Sequence, residues 1–266
     1  MTGRDQGLNF PEVTQAQAFS PVAVAPHLWQ DNLNPGRRAA PHQDNPPETE
    51  MSQMSDFDAR RMMMVDTQVR PQDVTKFPII AAMLSVPREN FVPEAAREAA
   101  YVGNNVALAP RRVVLEARSL AKLLDAIDLV PGEKALDLGA GLGYASAVLA
   151  EMGAVVTAVE EDAAMAALAT DKLAGVATVV AGPLAAGAAA NGPFDIILLQ
   201  GGVEAVPPAV LEQLAEGGRI GAIFMEGALG VARIGHKLDG KITWRFCFNA
   251  TAPVLPGFEA PRGFVL

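Results

Sequence analysis

Leu136-Asp137-Leu138-Gly139-Ala140-Gly141-Leu142-Gly143-Tyr144 is the stretch that decides the fold. Ala135 to Leu138 reads as a short strand, and helical spacing begins at about Tyr144 and runs to Met152, so the glycines join strand to helix. Such a loop lies at the carboxyl end of a sheet, where nucleotide-like ligands sit. Glycine there lets the chain turn tightly and lets a ligand come within contact distance of the backbone.

The variant of the loop narrows the ligand. A dinucleotide fingerprint is Gly-x-Gly-x-x-Gly, which aims helix amides at a pyrophosphate. Here the third glycine, Gly143, comes one place early and Tyr144 fills the dinucleotide position. Asp137 stands just before the loop, where a carboxylate repels a pyrophosphate but suits an ammonium group such as that of a methionine moiety. Glu160 ends the next strand, 23 residues after Asp137, where a carboxylate can accept both ribose hydroxyls. The bland alternative is a tight turn beside a surface glutamate. Strand, loop, helix, strand and acid in that order favour S-adenosylmethionine, with Asp137, Gly139, Gly141, Gly143, Tyr144 and Glu160 as cofactor-binding candidates.

Downstream the alternation continues. Val155–Val159, Val176–Val180, Phe194–Leu199 and Arg219–Met225 read as strands, with helices over Asp162–Leu173 and Pro208–Leu214. Strands separated by helices imply a parallel sheet with right-handed crossovers. Strands around 229–236 and 241–249, joined at Asp239-Gly240, predict an antiparallel hairpin at the end. Upstream, residues 54–130 read as a helical cap. A methionine-rich segment stops at Pro71, a short amphipathic helix runs over 75–85 with Thr75 as its N-cap, and 117–129 form a longer one. The expected whole is an α/β, Rossmann-like domain: a core over 131–266, mostly parallel with its closing hairpin, plus the N-terminal cap.

Composition sets the outer limits. Residues 1–50 hold seven of the twenty prolines and no sustained apolar periodicity, too little burial to offset ordering entropy. Residues 1–53 are therefore expected to be a disordered tail or the product of a start placed upstream of Met51 or Met54. The tail lacks the basic start and apolar run of a signal peptide, and no run approaches a membrane span. A single cysteine, Cys247, in an apolar strand reads as a buried structural thiol in a cytoplasmic protein, with no metal cluster expected. A net charge of −9 argues against a nucleic-acid partner. The small basic cluster of Arg111, Arg112, Arg118 and Lys122 suits an anionic substrate group instead. His236, near the closing hairpin, reads as a surface or packed residue.

Several segments resemble the protein-L-isoaspartate O-methyltransferase family. They are Val86-Pro87-Arg88-Glu89-Asn90-Phe91-Val92-Pro93 with Ala100-Tyr101, then Leu136 to Leu149, Val159-Glu160, and Pro193-Phe194-Asp195-Ile196-Ile197. Gln213-Leu214 with Gly217-Gly218-Arg219 completes the set. The likeness covers about residues 60–225 in the family's order and spacing. It implies a class I S-adenosylmethionine-dependent methyltransferase that repairs proteins by methylating the α-carboxylate of L-isoaspartyl residues in a protein or peptide; a monomer is a separate expectation, which the resemblance does not supply. That chemistry agrees with the lack of a His/Asp/Ser constellation, because a carboxylate is already ionised at pH 7 and needs no general base.

Two segments depart from the family's pattern. Its Thr-Ile-Ser-Gln-Pro segment, whose serine lies in the active site, corresponds here to Val113-Val114-Leu115-Glu116-Ala117. Leu115 and Glu116 thus occupy the catalytic segment, with Arg112 a third substrate-side candidate. The family's Gly-Asp-Gly after the third strand is replaced by Ala181-Gly182-Pro183-Leu184. A methyltransferase for another acceptor, and a catalytically silent ligand-binding relative, therefore stand as alternatives.

Overall fold

The computed structural model of the chain describes residues 56–261; the expected tail over 1–53 lies outside the described residues. The cap begins with α1 (Asp56–Met64), passes through a wide helical turn and a tight one to Gln72, and continues in α2 (Phe77–Ser85). The N-cap of α2 is Lys76 rather than Thr75, and it makes no side-chain cap; Pro78 in the first turn holds the helical φ there instead. Two short 3₁₀ turns, Arg88–Phe91 and Glu94–Ala99, follow.

The cap is not wholly helical. Val106–Ala109 (β1) and Arg112–Val114 (β2) form a two-stranded antiparallel hairpin, turned at Pro110-Arg111 with Arg111 left-handed at φ 62°. Strands this short give too little alternation to announce themselves, and Pro110 reads as a break. From β2 the chain enters α3 (Ala117–Ile127), whose Leu120, Leu123, Leu124 and Ile127 form one buried face.

The sheet is built from β3 (Lys134–Leu138), β4 (Val155–Glu160), β5 (Thr178–Ala181), β6 (Phe194–Val203), β7 (Leu214–Glu226), β8 (Leu229–Leu238) and β9 (Lys241–Asn249). The first four crossings include α4 (Tyr144–Glu151), α5 (Ala163–Lys172) and α6 (Pro208–Glu212). The strands lie in the order β5-β4-β3-β6-β7-β8-β9. Pairs β5–β4, β4–β3, β3–β6 and β6–β7 are parallel, while β7–β8 and β8–β9 are antiparallel. The order reverses between β3 and β6, so a crevice opens beyond their carboxyl ends, where the glycine loop begins.

Alternation along the strands sends side chains to opposite faces. Ala135, Ile196 and Leu198 join the core under the cap, with α3, α4 and α5. Leu136, Leu138, Ile197 and Leu199 join a second core with Leu184, Val210, Leu255 and Phe258. Leu255 and Phe258 belong to residues 250–261, a strap that follows β9 and returns to the carboxyl end of the sheet. It is held by Gly202 N–H to Pro253 O (2.8 Å), Leu255 N–H to Gly202 O (2.9 Å) and Glu204 N–H to Phe258 O (2.8 Å). At the other end of the sheet, Arg219 forks onto Glu133 at 2.6 and 2.9 Å and donates to the Ile127 and Asp128 carbonyls. The Gly-Gly-Arg segment thus ties β7 to the end of α3.

Candidate cofactor site and its closing elements

Three glycines of the loop are left-handed: Gly139 at φ 80°, Gly141 at 60° and Gly143 at 98°. An L side chain costs roughly 1–2 kcal/mol in that region, so the sequence fixes the turn here. Gly139 and Ala140 donate to Val159 O, and this holds the loop against the tip of β4. The twist at Gly141 turns its N–H onto Glu160 Oε2 at 2.7 Å, and Asp162 N–H meets Oε1 at 3.0 Å.

Glu160 is therefore no surface residue. Its carboxylate is fully buried and is also gripped by Arg112 from the β1–β2 hairpin, with Nη1 at 3.0 Å from Oε1 and Nη2 at 2.5 Å from Oε2. Arg112 is itself buried, and its Nε has no hydrogen-bond partner. At the tip of β3, Asp137 is equally buried but meets neutral donors: Ser146 Oγ at 2.5 Å and Gln200 Nε2 at 2.8 Å. Burial pushes its carboxyl up to about 6, against the opposing pull of those two hydrogen bonds and of Arg112.

The glycine cradle is lined by the chain's own side chains. A Cβ on Gly141 would collide with Leu108 from β1, and one on Gly139 would press on Arg112 and on Leu255 of the strap. A Cβ on Gly201 would strike Leu255. Hairpin and strap are joined to each other: Arg111 Nη2 pairs with Glu259 Oε1 at 2.5 Å and Asn105 Nδ2 donates to Thr251 O at 2.9 Å.

Of the other candidates, Tyr144 points under the cap. Its ring lies beneath the Arg88 guanidinium, 4.7 Å from the ring centroid, and beside Phe91. Arg88 is fully buried and donates to Ala100 O at 2.7 Å and Leu115 O at 2.8 Å, and burial lowers its pKa. Its neighbour Glu89 accepts from Arg61 and from the Tyr101 hydroxyl, whose pKa is raised chiefly by burial. The Val-Pro-Arg-Glu segment is thus a buried brace that fixes the backbone at Leu115. The Leu115 side chain is buried, and it carries no hydroxyl. Glu116 spends its carboxylate on Ser119 Oγ (2.6 Å) at the start of α3, while its N–H donates to Asn105 Oδ1 (2.8 Å).

The structure thus gathers Gly139, Gly141, Glu160 and Asp137 at one spot, with Arg112 over it, and sends Tyr144 and Glu116 elsewhere. Sequence reading missed Ser146, Gln200, Leu108 and Leu255. The doublet Gly201-Gly202 was the available sign, since glycines inside a strand mark close backbone approach. Cys247 is half-buried on the edge strand β9 rather than buried. With the part-exposed His236 it lines a cavity of about 830 Å³ walled by α3 and by strands β8 and β9, bordered also by Lys122, Asp128 and Phe246. None of the glycine-loop residues reaches it.

The family described as protein-L-isoaspartate(D-aspartate) O-methyltransferase matches residues 60–245. The chain belongs to that family. Among relatives, the protein-L-isoaspartate O-methyltransferase of Methylorubrum populi is 38% identical over 61% of this chain and 78% of its own. That of Syntrophus aciditrophicus is 32% identical over 70% and 89%. Two solved structures share the fold. One protein-L-isoaspartate O-methyltransferase has a TM-score of 0.65 at 21% identity, over 74% of this chain and 66% of that one. A Plasmodium falciparum protein described as a protein-L-isoaspartate O-methyltransferase, in complex with S-adenosyl-L-homocysteine, has 0.63 at 17%, over 76% and 99%. The strap, 250–261, follows the matched region.

The residues present fit an S-adenosyl group in backbone and donor set. The left-handed glycines turn the loop backbone at the carboxyl end of β3, and a buried carboxylate ends β4. Leu108, Arg112 and Leu255 lie over the same surface.

Proposed function

We propose that the chain is an S-adenosylmethionine-dependent O-methyltransferase acting on the α-carboxylate of L-isoaspartyl residues in damaged proteins. The observation that carries this reading is the Glu160 carboxylate, held by the Gly141 and Asp162 amides beside the glycine loop, in a chain of this family. S-adenosylmethionine supplies an electrophilic methyl group, which an ionised carboxylate takes without giving up a proton. The chain's part is to bind, align and dehydrate. Glu160 receives ribose hydroxyls, the left-handed turn through Gly139, Gly141 and Gly143 presents the loop backbone to the cofactor, and Asp137 and Tyr144 stand behind the loop that holds it. Leu115 and Glu116 border the acceptor side through their backbone.

A cytoplasmic monomer is part of the same proposal. Among the described residues no helix is long and apolar enough to cross a membrane, and a single cysteine suits a reducing compartment.

The test is calorimetric titration of the full chain with S-adenosylhomocysteine, followed by methyl transfer to an isoaspartyl peptide and its aspartyl twin. Binding with transfer to the isoaspartyl peptide alone is expected. Binding with no transfer to that peptide overturns the acceptor. No binding overturns the cofactor and the function with it.

A further inference from the structure

We infer that Arg112 is an internal occupant of the ribose subsite that becomes the acceptor's carboxylate-binding residue once a cofactor takes Glu160; this rests on the function proposed above. A carboxylate offers about four lone-pair directions. Glu160 has filled all four: Gly141 N–H and Arg112 Nη2 on Oε2, Asp162 N–H and Arg112 Nη1 on Oε1. The two backbone donors are fixed by the turn at Gly141 and by the entry to α5, so a ribose diol can bind only in the places Arg112 holds. Cofactor and Arg112 therefore compete for one carboxylate.

The displaced guanidinium cannot remain buried without an anion, because an uncompensated buried charge is strongly unfavourable. Asp137 lies close enough to interact with Arg112, but its oxygens hold Ser146 and Gln200. Glu116 is engaged with Ser119. The anion that the proposed reaction brings is the acceptor's carboxylate, whose two oxygens match a guanidinium fork in the way that Glu160 does now. Arg112 stands three residues before Leu115 on the segment where the family's serine is absent. It supplies the donors that leucine lacks. Cofactor thus binds first, and its binding prepares the acceptor site.

The test compares the full chain with Arg112→Ala and Arg112→Lys. S-adenosylhomocysteine affinity is read by calorimetry, and KM and kcat on the isoaspartyl peptide by methyl transfer. Arg112→Ala is expected to bind S-adenosylhomocysteine at least tenfold tighter, yet to raise the peptide KM at least tenfold with kcat changed by less than about threefold. Arg112→Lys keeps the charge without the fork and is expected to fall between on both measures; it stands in if Arg112→Ala does not fold. Unchanged or weaker S-adenosylhomocysteine binding in a folded variant overturns the competition, and tighter binding with an unchanged peptide KM overturns the acceptor role. If neither wild type nor variants bind S-adenosylhomocysteine, the function itself falls; if all bind and methylate alike, only this inference does.

Discussion

Two buried carboxylates stand at the tips of adjacent strands, Asp137 on β3 and Glu160 on β4, and the chain satisfies them in opposite ways. Glu160 faces a cation brought from 48 residues upstream and two backbone amides. Asp137 faces a hydroxyl and an amide, both neutral, and burial lifts its pKa to about 6. A paired charge fixes a distant element in place. An unpaired one weakens the fold wherever it stays ionised. The hairpin at Arg112 is thus a lock on the sheet, whereas Asp137 is a local strain at the base of the loop.

The largest expected effect comes from removing the lock. Glu160→Ala leaves Arg112 buried without its anion and should cost about 3–5 kcal/mol of stability, read by urea unfolding at pH 7. It should also weaken S-adenosylhomocysteine binding by roughly 1–3 kcal/mol, the scale of lost charge-assisted hydrogen bonds. If stability is unchanged, the contrast between the two carboxylates collapses.

Asp137→Asn should do the reverse. The folded pKa, about 6, lies above the ordinary 3.8. The folded state therefore holds the proton more tightly, and the stability this gives is full below about 3.8 and lost as pH rises through 6. An asparagine can still accept from Gln200 and donate to Ser146, so the variant should be more stable above pH 6, by up to about 3 kcal/mol. That gain should vanish toward pH 4. Melting curves at pH 4.5 and 8 decide it, and a gain that does not grow with pH contradicts the assigned cause.

A smaller effect is expected on the loop itself. Gly141→Ala forces an L residue into a left-handed turn, at roughly 1–2 kcal/mol, and sets its Cβ against Leu108. Chemical denaturation should show that adding Leu108→Ala recovers the steric part but not the backbone part. The smallest effect belongs to Arg111→Ala. Its pair with Glu259 is about half exposed on both sides, 46% and 46%, so stability should change by less than about 1 kcal/mol. A larger loss would mean that hairpin and strap lock as one unit.

What was legible in the sequence was local. Leu136 to Tyr144 gave strand, turn and helix because glycine, apolar alternation and an acidic strand end lie within a few residues of each other. The closing strands at 229–238 and 241–249 were announced by the Asp239-Gly240 turn. The β1–β2 hairpin was not legible: its strands have four and three residues and turn on a left-handed arginine. Nor was the strap, where Pro253, Pro256 and Gly257 break any period that Val254, Leu255 and Phe258 could mark.

By itself the sequence determined the parallel sheet and a glycine loop followed by an acid, since backbone preference and side-chain period act at short range; the strand order and its switch point came with the tertiary structure. Only the tertiary structure decided that Arg112 holds Glu160, that Arg88 braces Leu115 and that Leu255 lies against the loop. Those contacts join residues 27 to more than a hundred positions apart, and burial, which makes each of them strong, exists only after the chain has folded.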